Sequence, residues 1–165
     1  MKKIKVLTSI AIVGSMLMAM TGCGTKVNYI EKKEFKKILK NELDMEEDED
    51  YFTYDTDDYD SISAYYEDVS IEAMWYDDAD DAYDEFADIY DEFVDAAEDG
   101  DIKGDCKYDL NETAGYFTMN GKFEGDYDCG GMFLCEDMLI SVNADSKRDI
   151  EDVNYVLEVL GLPTV

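Results

Sequence analysis

The chain has 165 residues, with 42 Asp or Glu against 14 Lys or Arg, a net charge of −28 and no histidine. The missing histidine excludes Ser-His and Cys-His nucleophile pairs and every His-ligated zinc or haem site. The charge argues against nucleic acid, whose phosphates would be repelled and would find few cations to replace their counterions.

Residues 1–22 read as an export leader and are kept out of the fold argument. Lys2, Lys3 and Lys5 form a basic start, and an apolar run of 15 residues follows from 6 to 20. That run is short for a membrane-spanning helix, which needs about 20. It ends in Met20-Thr21-Gly22-Cys23, which resembles the lipobox of bacterial lipoproteins, with Met20 in place of the usual Leu. The resemblance implies cleavage between Gly22 and Cys23 and a diacylglyceryl group, with further acylation such as palmitate, on the Cys23 thiol. Acyl chains contribute roughly 0.8 kcal/mol per buried methylene. The expected location is therefore the extracytoplasmic face of the cell membrane, with residues 23–28 as a lipid-anchored tether. Residues 29–165 are then a single acidic domain. The 143 residues left after cleavage carry −31, because the leader takes three lysines and no acids with it.

Phe35, Ile38, Leu39 and Leu43 recur at helical spacing and predict a helix over 29–43, capped by Asn28 with Glu31 three residues on. Residues 44–60 read as an acidic loop with one short strand at 51–54. Ile62, Ala64 and Tyr66 alternate with polar neighbours, as do Val69, Ile71, Ala73 and Trp75. Glu67-Asp68 lies between the two runs, which makes a hairpin with one buried face. Over 77–98 an apolar stripe through Ala79, Ala82, Tyr83, Phe86, Ile89, Tyr90, Phe93, Val94 and Ala97 marks the clearest helix, and nearly every other position is Asp or Glu. Strand pieces follow at 108–110 and 116–119, with Asn120-Gly121 as a turn signal. A second hairpin is expected from 132–135 and 138–142 around Glu136-Asp137. Ser146 then caps a last helix with Ile150, Val153, Leu157 and Leu160 on its buried face, ended by Gly161 and Pro163.

This order predicts an α+β domain. It has an antiparallel sheet of about five to six strands with three amphipathic helices on one face, two-layer, in the order α-ββ(β)-α-ββ(β)-α. At this level the chain resembles a family of small, uncharacterised lipoproteins of low-GC Gram-positive bacteria. The carrying segments are the lipobox leader, Glu34-Phe35-Lys36, the strand at 69–76, the acidic helix around 80–86, and the hairpin, cap and helix at 142–161. The resemblance implies the fold and the location. It implies no activity.

Residues 41–102 hold 27 acids and no Lys or Arg. Calcium needs six to eight oxygens converging on one point, whereas acids along a helix point apart. The run therefore reads first as a solvated face. Asp126, Asp128 and Gly130 faintly resemble a calcium loop, but the fifth and closing positions are wrong, so no metal site is expected. Six of the eleven bases left after cleavage lie at 26, 32, 33, 36, 37 and 40. Lys33, Lys36, Lys37 and Lys40 are candidates for anionic lipid, each worth about 1 kcal/mol near a membrane surface. The alternative is that they offset the acidic helix within the fold. With Cys23 acylated, Cys106 and Cys129 are the preferred disulfide and Cys135 is left over. Tyr65, Met74 and Tyr76 fall on the far face of the first hairpin and would form an aromatic surface if no helix covers them. No catalytic residue or cofactor is read. The functional expectation is a non-enzymatic binding or accessory module of the cell envelope, with a protein or glycan partner. The alternatives are a carboxylate-based glycan hydrolase and a low-affinity divalent-cation binder.

Overall fold

A computed structural model describes residues 27–165, so the leader, Gly22, Cys23 and Lys26 lie outside the described residues. The elements are α1 (Lys32–Asn41), β1 (Tyr51–Asp55), β2 (Tyr59–Tyr66), β3 (Val69–Tyr76), α2 (Ala79–Glu98), β4 (Lys103–Leu110), β5 (Ala114–Phe123), β6 (Asp126–Cys135), β7 (Met138–Ala144) and α3 (Ile150–Leu160). One 3-10 turn, Lys147–Asp149, leads into α3. All strands join a single antiparallel sheet in the order β1-β2-β3-β7-β6-β5-β4. Two meanders therefore meet at the β3–β7 pair, and α2 carries the chain from the middle of the sheet to its far edge.

The α+β class and the helix–meander–helix–meander–helix order agree with the sequence. The strand count is seven rather than five to six. The short strand expected at 51–54 is the edge strand β1, while the stretch with the weakest signal holds β4, β5 and the start of β6. Six of the eight β4 residues are exposed, so its sequence has no apolar alternation to display.

The helices do not share one face. Phe35 and Leu39 of α1, with Val153, Val156, Leu157 and Leu160 of α3, pack on Ile71, Ala73, Ile140 and Val142. Ala82 and Phe86 of α2 pack on Leu134 and Leu139 from the opposite side. The domain has three layers, not two. The cause is visible in β6 and β7, where Phe133 and Leu134, then Met138, Leu139 and Ile140, are all buried. A strand that is apolar on both faces needs cover on both.

The first hairpin forms as expected, with Ile62, Ala64, Val69, Ile71, Ala73 and Trp75 on one buried face and Glu67 in the left-handed conformation at the turn. The first helix starts later than expected. Ile30 stays extended because its N–H meets Met138 Sδ at 3.2 Å and its carbonyl accepts from Trp75 Nε1 at 2.9 Å. Glu31 therefore takes the N-cap position, without a side-chain cap. Val27, the first of the described residues, is already buried.

Asn120-Gly121 is not a turn. It lies inside β5, and the turn falls at Glu124-Gly125, both with positive φ. Gly121 serves a close approach instead: a Cβ there would lie 2.7 Å from the Lys103 carbonyl oxygen and 2.8 Å from Gly104 Cα. Gly130 and Gly131 likewise sit in β6 rather than in a loop.

Candidate binding surface

Helix α2 is anchored at its start by Asp78, whose side chain accepts from Asp80 N–H at 2.9 Å. From there it crosses β3, β7, β6 and β5. It covers Met74 and Tyr76, so two of the three residues expected on an open aromatic surface are packing residues. Tyr76 also stacks against Tyr59, with ring centroids 5.3 Å apart. Its hydroxyl pKa is pushed up to about 12, first by burial and then by Glu85.

β1 and β2 extend beyond the helix. The register sets Phe52 opposite Ser63 and Tyr54 opposite Ser61, while Tyr65 lies two residues along from Ser63 on the same face. Phe52, Tyr54 and Tyr65 are 38%, 53% and 64% exposed. The open aromatic surface exists, but it is built from β1 and one residue of β2. Phe52 and Tyr54 escaped the sequence reading because a five-residue edge strand gives too short a pattern to assign faces.

Tyr65 also borders a groove of about 980 Å³ at one end of the sheet. The β2–β3 turn supplies Glu67 and Asp68, and the start of the β5–β6 hairpin supplies Glu124, Asp126 and Asp128. The segment after β7 supplies Asp145 and Asp149, and the one cation is Arg148. Burial raises the Asp128 pKa, Asp145 adds to the rise, and a hydrogen bond from the Cys129 N–H opposes it. Tyr127 donates from its hydroxyl to Asn120 Oδ1 and fixes the groove floor.

No three metal-ligating side chains converge anywhere among the described residues. This agrees with carboxylates arriving from three separate turns. For hydrolytic work, two carboxyls must face each other across a bound sugar, one of them protonated. Asp128 has the raised pKa, but it is only half-buried and its neighbour Asp145 is exposed. The groove is wide and open, and it concentrates negative potential rather than isolating a reactive pair.

The cysteines are all free among the described residues. The expected Cys106–Cys129 bridge is not made. Cys106 packs with Phe93 on the α2 side of β4, whereas Cys129 lies in the α1–α3 core on β6. β5 stands between their strands, so they are two strand spacings apart, about 9.5 Å. Disulfides fail beyond about 7 Å between Cα atoms. The Cys129 thiol is buried against the Ala144 and Ser146 carbonyls, and burial pushes its pKa up to about 11. Burial does the same to Cys135. Neither is an activated nucleophile.

On α1, Lys32 pairs with Asp55 and Asp60, each at 2.9 Å, and Lys36 pairs with Glu47 at 2.7 Å. Lys40 lies 3.9 Å from Glu46. The acids that those three meet lie on the loop before β1, on β1 and on β2, not on α2, so the expectation that the lysines offset the acidic helix is not met. Lys33 and Lys37 are exposed and carry no ion pair among the described residues.

Comparison with known proteins finds no matching family model, no similar curated protein and no similar solved structure. The functional reading therefore rests on this surface and on the leader.

Proposed function

We propose that the chain is a lipid-anchored envelope lipoprotein, held through Cys23 on the outer face of the cell membrane, whose domain binds another surface component without reacting on it. The observation that carries the binding reading is the open face of β1 and β2, where Phe52, Tyr54 and Tyr65 stand exposed and Tyr65 borders a groove with seven carboxylates and one arginine. Aromatic faces hold sugar rings and peptide side chains alike, and they attract cations. The carboxylates add selectivity for a partner with positive charge and speed its approach. The leader and the Gly22-Cys23 junction support the location. Lys33 and Lys37, which carry no ion pair among the described residues, suit contact with anionic headgroups beside the anchor.

The test uses the full-length lipoprotein in liposomes, titrated with a Lys/Arg-rich peptide, an acidic peptide and a neutral oligosaccharide. The basic peptide is expected to bind with a strong salt dependence, and Tyr54→Ala with Tyr65→Ala to weaken it by about tenfold, roughly 1.4 kcal/mol. Equal binding of the acidic peptide, or indifference to both substitutions, refutes the binding surface. An unacylated Cys23 in the mass spectrum of the native N-terminus refutes the anchor separately.

A further inference from the structure

The two edges of the sheet differ. β1 is five residues long, and the loop before it folds back so that Glu47 bridges to Tyr51. β4 is eight residues long, mostly exposed, and has a neighbouring strand on one side only. A long edge presents outward N–H and C=O groups that template another strand.

The side chains of β4 are self-complementary. Lys103, Asp105, Lys107 and Asp109 share one face, and Gly104, Cys106 and Tyr108 share the other. Laid antiparallel against its own copy about Cys106, β4 places Lys103 opposite the copy's Asp109 and Asp105 opposite the copy's Lys107. Each relation occurs twice, giving four opposite-charge pairs and no like-charge pair on that face. Gly104 meets Tyr108, small against large, and Cys106 meets Cys106. Lysine on an edge ordinarily deters pairing. Here each lysine has an aspartate at the two-fold position, so the deterrent against strangers becomes a register signal for self.

We infer that β4 is a homodimer interface, in which two copies of this chain join edge to edge into one fourteen-stranded antiparallel sheet with Cys106 on the two-fold axis. Charge placement supports this edge. Of the five bases outside α1 and Lys26, three lie on β4 and its neighbour β5, namely Lys103, Lys107 and Lys122. The edge is thus locally balanced in a strongly acidic molecule. On the other face of β4, Tyr90 and Phe93 of α2 meet Tyr108 with ring centroids 6.2 Å away, so aromatic rings cover the edge there. A two-fold axis normal to the sheet also keeps both α1 helices on the same side. Both N-termini can then reach one membrane, an advantage that rests on the lipoprotein reading, although the pairing itself does not.

The test is cross-linking of the full-length lipoprotein in membranes of an expressing bacterium, treated with oxidised glutathione. Directly opposed residues in antiparallel strands have Cα atoms about 4.5 or 5.5 Å apart, both within the range that disulfides use. The two Cys106 thiols form one S–S bond and give up two protons and two electrons, which reduce the oxidised glutathione to two thiols. A band of twice the mass is expected on a non-reducing gel, absent in Cys106→Ser and retained in Cys129→Ser and Cys135→Ser. Lys107→Asp sets like charges opposite each other twice and is expected to slow cross-linking at least about tenfold. Asp105→Lys with Lys107→Asp restores opposite pairs and is expected to return the rate to within about twofold of wild type. Circular dichroism checks each fold, and Lys103→Asp with Asp109→Lys serves if the first swap unfolds. A linked species that survives Cys106→Ser overturns the interface, and so does equal cross-linking of wild type, the single variant and the swap. Lipidation is read independently from the N-terminal mass.

Discussion

Asp128 sits half-buried at the start of β6, where loss of water and nearby Asp145 raise its pKa above the ordinary 3.8. Asp55, on the opposite edge of the sheet, is lowered from the same value by its hydrogen bonds to Lys32 and Asp60. The two therefore act oppositely on stability. A carboxyl raised in the folded state favours folding below pH 3.8, and that contribution is lost as pH rises through the folded value. A lowered carboxyl favours folding above 3.8, and its contribution is lost as pH falls through the folded value. Asp128→Asn is accordingly expected to raise Tm at pH 7, with the gain shrinking toward pH 3. Lys32→Ala is expected to lower Tm at pH 7, with the loss shrinking as pH falls below 3.8, and to matter less in salt because the pair is exposed. Thermal melts across pH 3 to 7 check both signs, and parallel profiles would contradict the assignment.

The helices cover opposite faces of one sheet, so their anchors can be disturbed independently. Phe35 of α1 meets Trp75 edge-on with centroids 5.5 Å apart, and Phe86 of α2 lies 5.5 Å from Tyr90 and 5.9 Å from Phe117. Both are fully buried. Phe35→Leu and Phe86→Leu are each expected to cost about 1–2 kcal/mol in urea denaturation. The double variant should show their sum to within about 0.5 kcal/mol, since the sheet separates the sites. Strong non-additivity would mean that the three layers do not pack as separate interfaces. These elements also show what the sequence made legible. The alternation of β2 and β3 revealed their buried face, and the stripe of α2 revealed its span. The placement of α2 on the opposite face is carried by the consecutive apolar residues of β6 and β7, whereas a hairpin pattern alone predicts cover on one side. The open aromatic face was legible only through Tyr65, because Phe52 and Tyr54 acquire their side from the β1–β2 register. The groove was not legible, because three turns far apart in sequence build it, and only the sheet order brings them to one end.

At the scale of the whole molecule, charge works against compactness. The described residues hold all 42 acids and ten bases, and their ion pairs all involve α1. Helix α2 has acids in its first turn, where the helix dipole favours them, but no base in its last. Glu98 and Asp99 therefore stand near its negative end. Most carboxylates thus face other carboxylates through water, and self-repulsion of this kind destabilises the folded state. The Debye length falls from about 30 Å at 0.01 M salt to about 8 Å at 0.15 M. Screening on that scale weakens repulsion between acids two or more turns of α2 apart, about 11 Å and beyond, while the direct contacts of Lys32 and Lys36 lose less. Stability should therefore rise with salt, by about 1 kcal/mol or a Tm increase of about 4 °C over that range. Calorimetric melts in sodium chloride measure this. Magnesium or calcium at equal ionic strength should give nearly the same shift, since no carboxylates converge on a site for either ion. A Tm that falls with sodium chloride would show that the α1 ion pairs outweigh the repulsion, and an excess shift with calcium alone would show that the groove gathers its acids around the ion.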